Sequence, residues 1–358
     1  EMRGQTVRIG PVLLAVLAAA LSLEAAGVSS RDAEQAARKA PGGVFSLLVD
    51  NDFFAATDRR YTNGIRIAWT SAELGRPEAP VKLPGWLEAA SRALSFGRAA
   101  GGRRYLSIFL DQRIYTPEDI TLTETPAGEH PYAGYTGIGL AFHSRDDDGM
   151  DTVEIDLGLV GPDSLAGEIQ ALWHRFFGFM APSGWARQLK DEFVLGLAYD
   201  HRERVWASAA GRGIRTDGVA RAGGSLSNAL TAAGIGAGIR VGWNLPDDFG
   251  AAMIPAGPAG DPLLKNRRER SADRVRPAIY GYLTIEGQAV LRDIFLDGNT
   301  FRDGPHVEKY PFRGALTAGL ALRFRSWSLA YGYVLGSRSF ETEPRGHIYG
   351  TVRLSFFL

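Results

Sequence analysis

Over most of its length this chain alternates, residue by residue, between two kinds of side chain, and that limits what it can fold into more than any other feature. From Gly234 to Asn244 (GIGAGIRVGWN), Ile235, Ala237, Ile239, Val241 and Trp243 share one side, and Gly234, Gly236, Gly238, Arg240 and Gly242 share the other. From Leu316 to Arg325, Leu316, Ala318, Leu320, Leu322 and Phe324 oppose Thr317, Gly319, Ala321, Arg323 and Arg325. Ile65, Ile67 and Trp69 likewise oppose Gly64, Arg66 and Ala68, and Val153, Ile155, Leu157 and Leu159 oppose Glu154, Asp156 and Gly158. The last segment sets Ile348, Val352, Leu354, Phe356 and Leu358 against Thr351, Arg353 and Ser355. A period of two is the strand period. A soluble sandwich would turn the polar face to water, whereas an outer-membrane barrel turns the apolar face to lipid and lines its lumen with the other.

The start of the chain and its composition favour the barrel. Arg3 and Arg8 precede an apolar run from Ile9 to Leu23, with Ala25, Ala26 and Gly27 behind it, which is the pattern of a secretory signal peptide over residues 1–26. A membrane anchor is the alternative, but the run is short of the roughly 20 apolar residues a spanning helix needs. With no cysteine, disulfides and thiolate metal sites are excluded. The 40 basic and 40 acidic residues cancel, which gives no sign of a nucleic-acid partner. Gly is abundant at 44 of 358 residues, and the polar faces of the repeats are rich in it. The expectation is an all-β protein: a transmembrane antiparallel β-barrel of about 12 strands over 44–358, after an N-terminal segment at 27–43.

One segment departs from the strand pattern. After Gly161-Pro162, Leu165, Ile169, Leu172, Trp173 and Phe176 recur at helical spacing, with Asp163 or Ser164 available as a cap. The spacing predicts a helical insertion within 161–191, and a second short helix at Ser183 to Glu192. Gln170 and His174 stand four apart and so leave this helix on one face. A second unusual stretch, LVDNDFFAATDRRYTN (Leu48 to Asn63), gathers oxygen-bearing side chains at the end of one strand and the start of the next. Such residues suit a hard cation, and they suit a polar turn equally well. Strict alternation would turn Asp52 to the lumen and Asn51 to lipid, so both can serve one site only if the strand ends or bulges at Asp50 to Asp52.

Several blocks, in this order, resemble the outer-membrane lipid A 3'-O-deacylases: Asn51-Asp52, TDRRYTNG (57–64), QRIYTPEDI (112–120), HPYAGY (130–135), LGLVGPDS (157–164), QALWH (170–174), GWARQLKDE (184–192) and FLDGNTFRDG (295–304). The resemblance implies calcium-dependent hydrolysis of an acyl ester on lipid A in the outer leaflet of a Gram-negative outer membrane. It places the site residues at Asn51, Asp52, Thr62, Gln170 and His174, with Asp52 and Thr62 toward Ca2+. It further implies lipopolysaccharide and outer-membrane lipid as partners, no nucleic acid, and a monomer. Two positions depart from the pattern. Leu122 stands where a basic residue follows the YxP turn, and Met180 stands where an acidic residue follows the helical His.

These residue types fit ester hydrolysis. A His with a pKa near neutrality can take a proton from water and return it to the leaving alcohol. A cation held by carboxylate and carbonyl oxygens can carry the charge that develops on the ester oxygen. Gln170 can orient water or substrate, and Asn51 can fix the loop. Three other readings stay open: a serine route through Ser164 or Ser183, neither of which sits in a G-x-S-x-G elbow; an outer-membrane phospholipid hydrolase; and a barrel without catalysis. The DDDG run at Asp146 to Gly149 reads as a hairpin turn. His130 is a candidate cleft residue, and Pro246 to Arg276 reads as a long loop whose Lys265–Arg270 run is basic.

Overall fold

A computed structural model of the chain describes residues 43–55, 61–75, 83–95, 102–211, 213–250 and 277–358. The expected signal peptide, most of the N-terminal segment and the basic run at Lys265–Arg270 lie outside the described residues. The strands are β1 (Val44–Asn51), β2 (Tyr61–Thr70), β3 (Arg103–Tyr115), β4 (Ala133–Arg145), β5 (Gly149–Val160), β6 (Glu192–Gly211), β7 (Ile214–Ser227), β8 (Leu230–Trp243), β9 (Ala278–Asp293), β10 (Phe312–Arg323), β11 (Trp327–Gly336) and β12 (Ile348–Phe357). Each pairs antiparallel with its chain neighbours, and β1 pairs with β12 from Val44↔Phe357 to Asn51↔Gly350. Closure leaves no unpaired edge, as a sheet in hydrocarbon requires.

The alternation read from the sequence is the in-and-out alternation of the wall. Ile138, Leu157, Leu195, Ile235, Ile239, Ile285 and Leu320 are exposed on the outside. Inside, Arg66 pairs with Asp111 at 2.9 Å and Glu154 at 3.2 Å. Arg202 pairs with Asp200 at 2.7 Å, and Arg240 with Asp217 at 2.6 Å. Buried charges are tolerated only when paired and hydrogen-bonded, so these luminal cations have carboxylates beside them. We call the end where β1 finishes the site end, and the end where β1 starts and β12 finishes the terminal end.

Two helices lie against the outer face. Near the terminal end, α1 (Gly85–Ala93) sets Leu87 against Leu74, Leu106 and Phe142, covering outward positions of β3 and β4. At the site end, α2 (Ala166–Phe177) lies on β3 and β4 within the predicted insertion. Neither Asp163 nor Ser164 caps it, contrary to expectation. A 3-10 turn at Pro162–Ser164 comes first, the Ser164 hydroxyl donates to the Gly161 carbonyl at 2.5 Å, and Leu165 in the left-handed region takes the cap position. The second expected helix is reduced to a 3-10 turn at Trp185–Arg187, because Glu192 already starts β6. The short helix α3 (Ile294–Asp297) follows β9, with Asp293 accepting from the Phe295 amide. The DDDG run is a hairpin turn, the Asp146 carboxylate accepting from the Asp148 and Gly149 amides at 3.0 and 2.8 Å.

Candidate active site

The face of α2 turned to the wall carries Ala166, Gln170 and His174, while Leu165, Leu172 and Phe176 on the other side are exposed. A helix of a soluble protein buries its apolar stripe; this one turns its amide and imidazole inward and its apolar stripe outward. Glycine permits the close contact, since any side chain at Gly134 of β4 would collide with Ala166 and Ser164. The Thr136 hydroxyl, 2.5 Å from the Ser164 carbonyl and from Gln112 Oε1, ties the turn before the helix to β4 and β3.

The end of the helix sets the imidazole. Gly178 sits at φ +74° as the left-handed cap, and the chain reverses so that the Phe179 amide bonds the His174 carbonyl at 2.8 Å. That reversal brings the Met180 carbonyl within 2.5 Å of His174 Nδ1. A carbonyl oxygen only accepts, so Nδ1 carries the hydrogen and the lone pair of the neutral ring is on Nε2. Phe179 meets the ring edge-on at 5.6 Å.

Gln170 is fixed by a neighbour that sequence reasoning did not single out. Trp185 Nε1, a donor only, gives its hydrogen to Gln170 Oε1 at 2.7 Å, so the amide nitrogen points the other way, where it is enclosed without a partner. Trp185 packs edge-on against Tyr132 at 5.1 Å, and the Tyr132 hydroxyl donates to the Ile120 carbonyl at 3.0 Å. Burial pushes the Tyr132 hydroxyl above the usual phenol range, so it stays protonated. The blocks HPYAGY and GWARQLKDE thus meet at Tyr132 and Trp185, behind Gln170. Their tryptophan-after-glycine signature was the available clue, as Gly184 leaves the space that the Tyr132 ring occupies.

The other predicted residues lie on β1 and β2 at the same end of the barrel. Asn51 is the last residue of β1, opposite Asn63 of β2 on the outer face. Asp52 opens a 3-10 turn, Asp52–Ala55, so the strand ends where the two side chains needed it to. The Phe54 carbonyl of this turn accepts from the Tyr331 hydroxyl at 3.0 Å. A bulge between Tyr61 and Asn63 makes Thr62 the extra residue of β2; its side chain lies outside the described residues. Asn51, Asp52 and Asn63 are 4, 2 and 4% exposed, and Gln170 and His174 are 2 and 3%. The structure therefore gathers Asn51, Asp52 and Thr62 into one corner, and Gln170 and His174 into a second on the helix over β3 and β4. Gln170 and His174 bond to Trp185 and Met180, not to the first corner. Among the described residues no three His, Asp or Glu side chains cluster closely enough to hold a metal. A cation here would rest on amide, hydroxyl and main-chain oxygens beside the Asp52 carboxylate, a donor set that Ca2+ accepts.

His130 belongs elsewhere. Its Nδ1 bonds the Pro131 carbonyl at 2.7 Å and its ring stacks on Tyr115, lining a luminal cavity of about 190 Å³ with Arg113, Arg221, Glu286 and Arg313. The wall separates this cavity from the outer face of β3 and β4 where α2 lies.

The family model described as outer membrane protein LpxR matches residues 13–358. Among solved structures, LpxR from Salmonella typhimurium superposes with a TM-score of 0.66 at 17% identity, over 88% of this chain and all of that one. The β domain of the Bordetella autotransporter BrkA gives a TM-score of 0.42 at 12% identity, over 89% of this chain and 98% of that one. No curated protein is matched.

Proposed function

Because the chain belongs to the LpxR family of outer membrane proteins, we propose that it hydrolyses the 3'-linked acyloxyacyl ester of lipid A in the outer leaflet, with Ca2+ and with His174 as general base. The observation that carries this reading is the imidazole. His174 is buried against the outer wall, its Nδ1–H is held by the Met180 carbonyl, and Nε2 makes no hydrogen bond within the described protein. A base needs its orientation fixed on one nitrogen and its lone pair free on the other.

Nε2 takes a proton from a water molecule as the water oxygen adds to the ester carbonyl carbon. The imidazolium returns that proton to the alkoxide as the carbon–oxygen bond breaks, leaving a free fatty acid and a hydroxyl. The Gln170 amide N–H, aimed by Trp185, supplies a donor for water or the ester oxygen. Asn51 holds the end of β1 through its place opposite Asn63 and Gly350. Buried Asp52, together with Thr62, would hold Ca2+, whose charge when bound polarises the ester carbonyl and stabilises the oxyanion. The Leu172 and Phe176 side of α2 suits acyl chains, so the substrate would reach the site from the membrane and not from the lumen.

The Met180 departure is accommodated in this reading, because the acceptor on Nδ1 is main chain and does not depend on the side chain at 180. The test is expression in an outer membrane carrying unmodified lipid A, read by mass spectrometry beside His174→Ala and Asp52→Ala. Loss of the 3'-linked acyloxyacyl group with the native protein alone, abolished by a chelator, is the expected result. Intact lipid A with accumulating lysophospholipid would move the substrate to phospholipids. No lipid change from a folded protein would make it a non-catalytic barrel.

A further inference from the structure

The outer face of the wall changes character near the site end. Ile67, Ile108 and Leu110 are exposed toward the middle of the wall, whereas Asn51, Asn63 and Gln112, nearer the site end of the same face, are all buried. Asn63 differs from Gln112 in its amide oxygen. Its Oδ1 is enclosed without a hydrogen-bond partner, although an unpaired buried amide oxygen is costly. Gln112 by contrast meets the Thr136 hydroxyl. Asn63 stands directly across the β1–β2 ladder from Asn51, whose next residue is Asp52, and it follows the bulged Thr62 in β2. Directly opposed side chains have Cβ atoms about 4.5–5.5 Å apart, within reach of one ion.

Asn63 is not among the five positions supplied by the family resemblance. We propose that Asn63 Oδ1 is a direct ligand of the Ca2+ that Asp52 binds, a reading that rests on the proposed calcium dependence. A neutral amide oxygen suits the position. Ca2+ takes six to eight oxygens at about 2.3–2.6 Å, and amide, hydroxyl and main-chain oxygens serve beside carboxylates in such sets. Coordination also gives the enclosed oxygen the partner that the protein does not provide.

The test is isothermal titration calorimetry of CaCl2 into the full chain folded in detergent micelles, with native fold confirmed by heat-modifiable electrophoretic mobility. The native protein is expected to bind one Ca2+, and Asp52→Ala to lose it. Asn63→Leu, which keeps the volume and removes the oxygen, is expected to weaken binding at least tenfold. Asn63→Asp, which keeps an oxygen and adds charge, is expected to bind as tightly as native or tighter. Native affinity in Asn63→Leu, with binding lost in Asp52→Ala, would overturn the assignment and leave the calcium reading standing. Absence of binding by the native protein would overturn both. If Asn63→Leu fails to fold, Asn63→Asp still decides: binding weakened tenfold in a folded Asp variant is incompatible with a coordinating oxygen at 63.

Discussion

His174 and Gln170 were legible as a pair because a spacing of four on a helix leaves no choice of face. What makes the pair usable was not legible, because the partner of His174 is a main-chain carbonyl and that of Gln170 is a tryptophan 15 residues away. Gly178 is the sequence element that creates the first of these. Its φ of +74° lies where a side chain is strained, and the space around it is open, so substitution acts on backbone conformation alone. Gly178→Val should cost about 1–2 kcal/mol locally and displace the Met180 carbonyl from Nδ1. We expect lipid A deacylation to fall roughly tenfold or more, as misplacement of a positioned group does. Gly178→Asn, which tolerates the left-handed region, should keep most of the rate. Equal rates for the Val and native proteins in a micellar lipid A assay would show that the reversal does not set the base.

At the scale of elements, period-two alternation gave the barrel and helical spacing gave α2, because both record which neighbours a side chain must meet. Sequence periodicity does not say which side of a helix meets protein and which meets lipid. Both sides of α2 are plausible interior faces until β3 and β4 are in place. The second expected helix failed for a related reason. Trp185 and Leu189 are drawn to Tyr132, to whose carbonyl the Leu189 amide bonds at 3.0 Å, and the chain is committed to β6 at Glu192. FLDGNTFRDG, for which spacing suggests no chemistry, is a tie between loops: Asn299 exchanges hydrogen bonds with Lys190 at 2.9 and 2.8 Å, and the Thr300 amide donates to Glu192 at 2.8 Å. The seating of α2 on the wall depends on Gly134. Gly134→Leu puts an apolar side chain on an outer face, which a membrane barrel tolerates, but drives Ala166 and Ser164 away. The expected outcome is a folded, heat-modifiable barrel with deacylation reduced to the level of His174→Ala. Retained activity would mean that the helix acts without close contact to β4.

The whole molecule bears on whether this barrel conducts. At the terminal end the chain leaving β8 turns back among luminal side chains. Leu245 packs with Tyr280, Tyr282, Ala321 and Ala330, and Phe249 lies under the guanidinium groups of Arg145 and Arg204 at 5.0 and 5.3 Å. Asp248 joins two walls, pairing with Arg240 of β8 and, at 2.9 Å, with Arg323 of β10. The sequence shows these arginines on polar strand faces but not what they meet, since Asp248 reads there as an ordinary loop acid. Under the proposed function, which puts the site on the outer wall, a lumen crossed by such a segment serves only to brace the wall against which α2 is seated. The prediction is that the native protein in planar bilayers shows no steady conductance. Asp248→Ala leaves two buried guanidinium groups short of a carboxylate, a loss of about 3–5 kcal/mol for a broken buried pair, and should lower the temperature of the heat-modifiable transition. Because the segment then keeps the Arg215–Asp247 pair, Leu245, Phe249 and main-chain contacts but loses its buried carboxylate, brief channel openings should also appear. Steady, ion-selective currents from the native protein would contradict the plug and favour the non-catalytic pore. An unaltered transition in Asp248→Ala would show that packing, not the shared carboxylate, keeps the segment in the lumen.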